Sequence, residues 1–271
     1  MSTTVIVPVY NAAADLAICL ESLIDTLAPT TPVLVINDAS PDPTVEQLFQ
    51  RLQRRVWPSW QWLHNERNLG FVGTVNRGMG LTEGDVVLVN SDTQVTTGWL
   101  QRLEQCAASD PRIATITPLT NNGEIASWPQ MCRDNGWPDD AERIARACVA
   151  AGPPLYPDMP TAVGFCMWIR RAALQQLGNF DEAAYGRGYG EENDFSQRAR
   201  QHGWRNVLCD DAYVAHRGGA SFGPLGLKPN GEALATVESR FPDYMDQVMA
   251  FIRSDPLQHR RARILAALDS V

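Results

Sequence analysis

Acidic side chains are concentrated in the run Tyr189-Gly190-Glu191-Glu192-Asn193-Asp194-Phe195. The pattern from Glu191 to His202 reads as a helix, so these carboxylates sit in a first turn whose dipole favours their ionised form. A carboxylate placed there can take the proton of an attacking hydroxyl, which is a poor nucleophile near neutral pH. A second acidic position, Asp92 in Asn90-Ser91-Asp92-Thr93, follows an apolar run. One carboxylate on such a turn suits Mg2+ or Mn2+, which use one or two protein carboxylates and keep positions for phosphate and water. Asp38, in Ile36-Asn37-Asp38-Ala39-Ser40, and Tyr10 and Asn11, after Val5 to Val9, hold corresponding places earlier in the chain. There a carboxylate or amide can accept from a base N–H or a ribose hydroxyl, while an aromatic ring can stack on the base. Each group also has a structural alternative: a turn for Asp92, a helix cap for Asp38, and an i,i+4 pair with Arg198 for Asp194.

The elements that must position these groups alternate. Val5 to Val9, Val33 to Ile36, Trp60 to Leu63 and Asp85 to Val89 read as strands. Helices fall between them, with Leu16, Leu20, Leu23 and Leu27, then Val45 to Leu52, then Phe71 to Met79 at helical spacing. Alternation of this kind predicts a parallel sheet with crossover helices, in which ligands bind beyond the carboxyl ends of the strands. After a helix at Trp99 to Ala108 and a strand at Ile113 to Ile116 the rhythm breaks at Asn121-Asn122-Gly123. Helices at 139–151 and 191–202, and strands at Ala162 to Arg170 and Asn206 to His216, predict a mixed sheet closing over the first half. From about Leu227 the chain reads as helical with a break at Pro242, and Arg260-Arg261-Ala262-Arg263 reads as a solvated face.

Taken in order, Val5 to Asn11, Ile36 to Ser40, Asn68-Leu69-Gly70-Phe71 with Asn76, Val89 to Thr93, Gly164-Phe165-Cys166 and Gly190 to Asp194 resemble the inverting GT-A glycosyltransferases of family 2. The likeness runs over roughly residues 4–222 and is closest to bacterial enzymes of surface-polysaccharide synthesis, rhamnosyltransferases included. It implies a GT-A fold: α/β, Rossmann-like, with a mostly parallel central sheet flanked by helices, a mixed acceptor-side half and C-terminal helices. The implied boundaries are a transferase domain at 1–226, split into a nucleotide-sugar half at 1–120 and an acceptor half at 121–226, and a helical extension at 227–271. The resemblance further implies a nucleoside diphosphate-sugar donor (UDP-, dTDP- or GDP-linked) bound by Pro8, Tyr10, Asn11, Asp38, Asn68, Asn76, Asn90 and Ser91. It implies Mg2+ or Mn2+ at Asp92 and His216, with Arg217, Gly218 and Gly219 near the phosphates. Glu192 aligns with the family's general base, usually an Asp, and Tyr189, Glu191 and Asp194 fall on the side of a glycan or lipid-linked acceptor. The family's Asp-x-Asp is here Asn90-Ser91-Asp92, so an amide replaces the first carboxylate. Ala184 to Gly190 reads as an acceptor-side loop, and Trp128, Trp137 and Trp168 as sugar platforms.

Composition narrows the field. The 271 residues are 44% hydrophobic and 20% charged, which describes an ordinary globular chain able to bury a core. A net charge of −8 argues against a nucleic-acid partner. No apolar run approaches the roughly 18 residues that cross a bilayer. With no basic segment ahead of Val5, the expected location is cytoplasmic, and a peripheral place at the inner membrane stays open. Six scattered cysteines without a Cys-x-x-Cys pair read as reduced, buried thiols. Competing readings are a GT-A module that binds nucleotide-sugar without turnover, a nucleotidyltransferase and a hydrolase. The second normally has a basic, glycine-rich phosphate loop near its start, and Val7 to Ala14 contains neither Gly nor Lys.

Overall fold

The computed structural model describes residues 3–186, 188–218 and 231–271. β1 (Thr4–Val9), β2 (Val33–Asn37), β3 (Trp60–His64) and β4 (Val86–Val89) pair in parallel in the order β3-β2-β1-β4. Every residue of β1, β2 and β4 is buried, as unbroken β-branched runs require when helices cover both faces. The connections are α1 (Ala13–Thr26), α2 (Pro43–Leu52) and α3 (Gly70–Gly80). α2 starts where the Asp42 carboxylate accepts from Thr44 N–H and Pro43 occupies the first turn. Gly78 lets α3 lie directly on the sheet, since a Cβ there would stand 2.8 Å from Ile6 Cγ2.

Next come β5 (Thr93–Val95), α4 (Trp99–Ser109), β6 (Ile113–Leu119), a 3-10 turn (Glu124–Ala126), α5 (Ala141–Ala150) and β7 (Cys166–Ile169). α6 (Arg171–Leu177), α7 (Glu182–Tyr185), α8 (Glu191–Gln201) and β8 (Arg205–His216) lead to α9 (Gly231–Arg240), α10 (Tyr244–Ser254) and α11 (Gln258–Leu268). The eight strands make one sheet, β3-β2-β1-β4-β7-β6-β8-β5, with β7 antiparallel to both neighbours and β5 antiparallel to β8. The second half is mixed, as expected, but it extends the first sheet at its edge rather than closing over it.

Some expectations change. Periodicity did not announce β5, α6 or α7, which are only three, seven and four residues long. The strand expected over Ala162 to Arg170 is confined to Cys166–Ile169, because Ala162 N–H turns to Ser196 Oγ and Val163 N–H to Thr117 Oγ1. Asn206 to His216, expected as one or two short strands, is part of a single strand of 12 residues, irregular where the β6 partner steps from Cys209 to Tyr213. The basic stretch near the C-terminus is a solvated face only in part: Ala262 and Arg263 are exposed, but Arg260 is not. Arg260 is fully buried, with Nε 2.8 Å from Asp210 Oδ2 and its terminal nitrogens donating to the carbonyls of Gly152 and Cys148. Five of the six free cysteines are buried, but Cys132 is exposed. Trp128 and Trp168 lie in the core, leaving no face for a sugar. Arg187, Gly219 and the 226/227 boundary lie outside the described residues.

Candidate active site

The carboxyl ends of β1, β2, β4 and β8 open onto a cleft of about 860 Å³. Pro8 lines it from within β1 and Tyr10 from just after it, Asp38 after β2, Asn90, Ser91 and Asp92 after β4, and His216 at the end of β8. Asn68 joins from the start of α3, and Tyr189, Glu191 and Glu192 from the start of α8. The topology therefore gathers groups up to two hundred residues apart at one sheet edge.

On the donor side, Asp38 is buried and held by Asn65 Nδ2 at 2.7 Å, Leu69 N–H at 2.7 Å and Gly70 N–H at 2.9 Å. Its carboxylate thus anchors the α3 N-terminus while still bordering the cleft. Asn68 Oδ1 accepts from Gly70 N–H at 3.0 Å, a local turn bond. Asn11 and Asn76, expected to touch the donor, are not among the lining residues. Asn11 has φ 57° and ties two loops together, its N–H on Ser40 Oγ and its Oδ1 accepting from Asp42 N–H. Asn76 clasps the main chain of Phe180 in both directions, at 3.0 and 3.2 Å. One amide thus satisfies a donor and an acceptor of the same residue.

Asp92 Oδ1 stands 3.5 Å from His216 Nε2. His216 Nδ1 lies 2.6 Å from the Asn122 carbonyl, so Nδ1 donates to it and Nε2 is the ring nitrogen that faces Asp92. Phe165 stacks on the imidazole at 5.1 Å. Burial opposes a charge on His216, but the hydrogen bond and charge of Asp92 outweigh it and raise the pKa. Asn90 Oδ1 is buried with no hydrogen-bond partner among the described residues. A carboxylate, an anchored imidazole and an unsatisfied amide oxygen fit a divalent cation that takes its other ligands from phosphate and water. No cluster of three His, Cys, Asp or Glu side chains occurs among the described residues, so the protein's own share in such a site is small. Arg217 is not among the residues that line the cleft. It pairs with Asp15 at 2.6 Å and lies over the Trp137 ring at 4.6 Å, while Gly218 borders the cleft.

Across the cleft, Gly190 caps α8 at φ 97°, where a Cβ would come within 2.8 Å of the Tyr185 ring. Glu191 and Glu192 follow, and each has an Oε2 buried without a hydrogen-bond partner among the described residues. Burial raises both pKa values, and the charge of Glu192 raises Glu191 further. The interaction with Glu191 and the N–H groups of Gly190 and Asn193 act the other way on Glu192. The two carboxyls titrate as a pair, with burial favouring a retained proton. Gly164 lies against that side chain, its Cβ position 3.8 Å from Glu192 Oε1. Tyr189 is also raised, by burial and then by Glu191, Glu192 and Asp92, whose fields it feels from both sides of the cleft. Asp194, expected on the acceptor, is instead buried away from the cleft. It accepts from Arg198 Nε at 2.7 Å, Arg240 at 2.9 Å and Tyr185 Oη at 3.3 Å.

The family model for glycosyl transferase family 2 matches residues 4–178, more than half of the chain. The chain belongs to that family. Among curated relatives, it is 27% identical over 246 residues to N-acetylglucosaminyl-diphospho-decaprenol L-rhamnosyltransferase of Mycobacterium tuberculosis, covering 81% of this chain and 77% of that one. Among solved structures, GalNAc-T7 with UDP, GalNAc and Mn2+ superposes with TM-score 0.64 at 16% identity, over 97% of this chain and 54% of that one. The mannosyltransferase of Pyrobaculum calidifontis in complex with GDP-Man and Mn2+ gives TM-score 0.59 at 16% identity, covering 98% and 85%. The GT-A fold and glycosyltransferase class inferred from the strand-end motifs therefore hold. No helix among the described residues of this family 2 chain is long and apolar enough to cross a membrane.

The motifs did not reveal the fourth wall. Tyr244, Met245, Val248 and Ile252 of α10, with Ala233 and Leu234 of α9, also line the cleft. Their helical spacing was visible in the sequence, but such a stripe looks the same whether it faces a core or a ligand.

Proposed function

We propose that this glycosyltransferase is a metal-dependent, inverting enzyme. It moves a sugar from a nucleoside diphosphate donor to a hydroxyl of a glycan or lipid-linked acceptor in polysaccharide biosynthesis. The observation that carries the reading is the position of the Glu192 carboxyl in the same cleft as the Asp92–His216 pair. Glu192 takes the proton of the acceptor hydroxyl as its oxygen bonds to the anomeric carbon. The bond from that carbon to the diphosphate breaks, and its electron pair leaves with the phosphate oxygen. One displacement inverts the anomeric centre. Mg2+ or Mn2+, held by Asp92 and His216 with Asn90 beside them, supplies neutralisation of the charge on the departing diphosphate. Tyr10, Pro8 and Asp38 bound the space for base and ribose, and orientation within the cleft adds to the effect of the base. Mn2+ with nucleotides in the two solved structures, and the rhamnosyl transfer named for the mycobacterial relative, support this reading.

Thermal unfolding with UDP, dTDP, GDP and CDP, each with and without Mn2+, tests it, because a ligand that binds only the folded state raises the midpoint. A metal-dependent rise with one diphosphate, abolished in Asp92→Ala, is expected. Glu192→Gln is expected to keep that rise while transfer from the matching donor falls by about 10²–10⁴-fold. No rise with any diphosphate in a folded sample would refute the donor site. Equal turnover in Glu192→Gln would remove the base from Glu192.

A further inference from the structure

The stretch Asn121-Asn122-Gly123, where the strand rhythm breaks, lies against the end of β8. The pairing of β6 with β8 reaches Leu119 and Tyr213, after which β6 turns away while β8 runs on beside β5 to His216. There His216 stands opposite Thr93, and the Arg217 N–H donates to the Asp92 carbonyl at 3.0 Å. The N–H and C=O of His216 therefore point away from β5, to the side that β6 has left. The Asn121 side chain takes the place of the missing strand. Its Oδ1 accepts from His216 N–H at 2.8 Å, and its Nδ2 donates to the His216 carbonyl at 2.9 Å. Asn121 is buried and is not among the residues that line the cleft. Asn122 completes the hold: its carbonyl receives the imidazole Nδ1 at 2.6 Å, and its Nδ2 donates to the Arg217 carbonyl at 3.1 Å. A Cβ on Gly218 would stand 2.5 Å from that nitrogen, so the chain after His216 passes directly over Asn122. With Phe165 stacked on the ring, the imidazole is fixed at Nδ1 and on its face, and Nε2 is turned to Asp92 at 3.5 Å.

We propose that Asn121 is a positioning residue of the metal site: by clasping the main chain of His216 it brings the Asn122 carbonyl to Nδ1 and keeps Nε2 beside Asp92. His216 is the last residue of its strand. A strand end paired on one side only has few bonds to break before it shifts, and the amide supplies the second side. The effect on a cation is large here because the protein offers it little else. With Asn90 in place of a first carboxylate, an imidazole that drifts removes one of the few protein ligands, and partners that orient a ligand govern metal affinity. The inference rests on the reading that Asp92 and His216 hold the cation, and it adds the residue that holds His216.

Mn2+ titration of the intact chain, followed by the electron paramagnetic resonance of the free ion, tests this in the presence of UDP, dTDP, GDP or CDP. Asn121→Ala is expected to weaken Mn2+ by about 10–100-fold. Excess Mn2+ should then restore transfer in this variant, whereas it restores none in Glu192→Gln. Asn135→Ala is the control, since the Asn135 amide ties the same loop through the carbonyls of Asn121, Gln130 and Arg133. It is expected to lower the melting midpoint and keep the Mn2+ affinity of the wild type. If Asn121→Ala does not fold, Asn121→Ser replaces it, and its hydroxyl, which reaches one of the two groups at most, should still leave Mn2+ binding weaker than in the wild type. Unchanged Mn2+ affinity in the folded Asn121 variant, or an equal loss in Asn135→Ala, would overturn the assignment alone. Failure of the metal reading would appear separately, as no Mn2+ binding by the wild type with any of the four diphosphates, and would overturn both.

Discussion

The two walls of the cleft are built on different principles. The donor wall is made of residues one or two positions past parallel strands, and the ladder itself places them: Asp38 N–H bonds the Val9 carbonyl at 2.8 Å, and Asn90 N–H bonds Phe165 at 2.9 Å. The acceptor wall is made of helix faces whose positions depend on distant side-chain clasps. Arg240, ending α9, reaches Asp194 of α8 and Asp181 before α7, both at 2.9 Å. Arg260 of α11 reaches Asp210 in the irregular part of β8. A wall set by backbone pairing tolerates changes elsewhere, while a wall set by clasps moves when a clasp is cut.

Cutting the clasps should separate the two walls. Arg260→Ala leaves the Asp210 carboxylate buried without its counter-ion, and breaking such a pair costs about 3–5 kcal/mol. Denaturant unfolding should show this loss, while the protein that remains folded keeps its nucleotide affinity; parallel loss of nucleotide binding would break the comparison. Arg240→Ala is milder because the guanidinium is 39% exposed and Asp194 keeps Arg198, so about 1 kcal/mol is expected. Its larger mark should be kinetic: a raised acceptor KM at unchanged donor KM, partly restored by Arg240→Lys. A donor KM that rises equally would place Arg240 on both walls.

Glu191→Gln gives the smallest effect and the most specific. Burial and Glu192 raise the Glu191 pKa well above its ordinary value, so the folded protein retains a proton that the unfolded chain releases above about pH 4.3. With the native state binding more protons, wild-type stability falls as pH rises from the ordinary carboxylate pKa toward the raised one. Gln has no proton to retain and still donates to Glu192. The variant should therefore melt higher than wild type at pH 7, with the gap closing below about pH 4. A lower melting point at pH 7, or a gap independent of pH, would mean that Glu191 does not hold the shared proton.

Much of this protein could be read from its residues alone. β-branched runs ending in Tyr10, Asp38 and Asn90 specify parallel strands and their polar tips, because burial on both faces demands continuous apolar sequence and the ligand edge demands its interruption. Glycine before Glu191 and Glu192 marks a helix start, since the left-handed turn and the Tyr185 ring both exclude a side chain. Tertiary structure decided which polar residues were left to act. Asn11, Asn76 and Asp194 have the same chemistry as their neighbours in the cleft, yet folding gave each of them protein partners. It also decided that Arg260 is interior and that the α10 stripe borders a cleft. An amide or an arginine carries the same hydrogen-bonding capacity wherever it lies, and apolar spacing records that a helix has a face. What meets that capacity or that face depends on segments distant in the chain, and only their packing settles it.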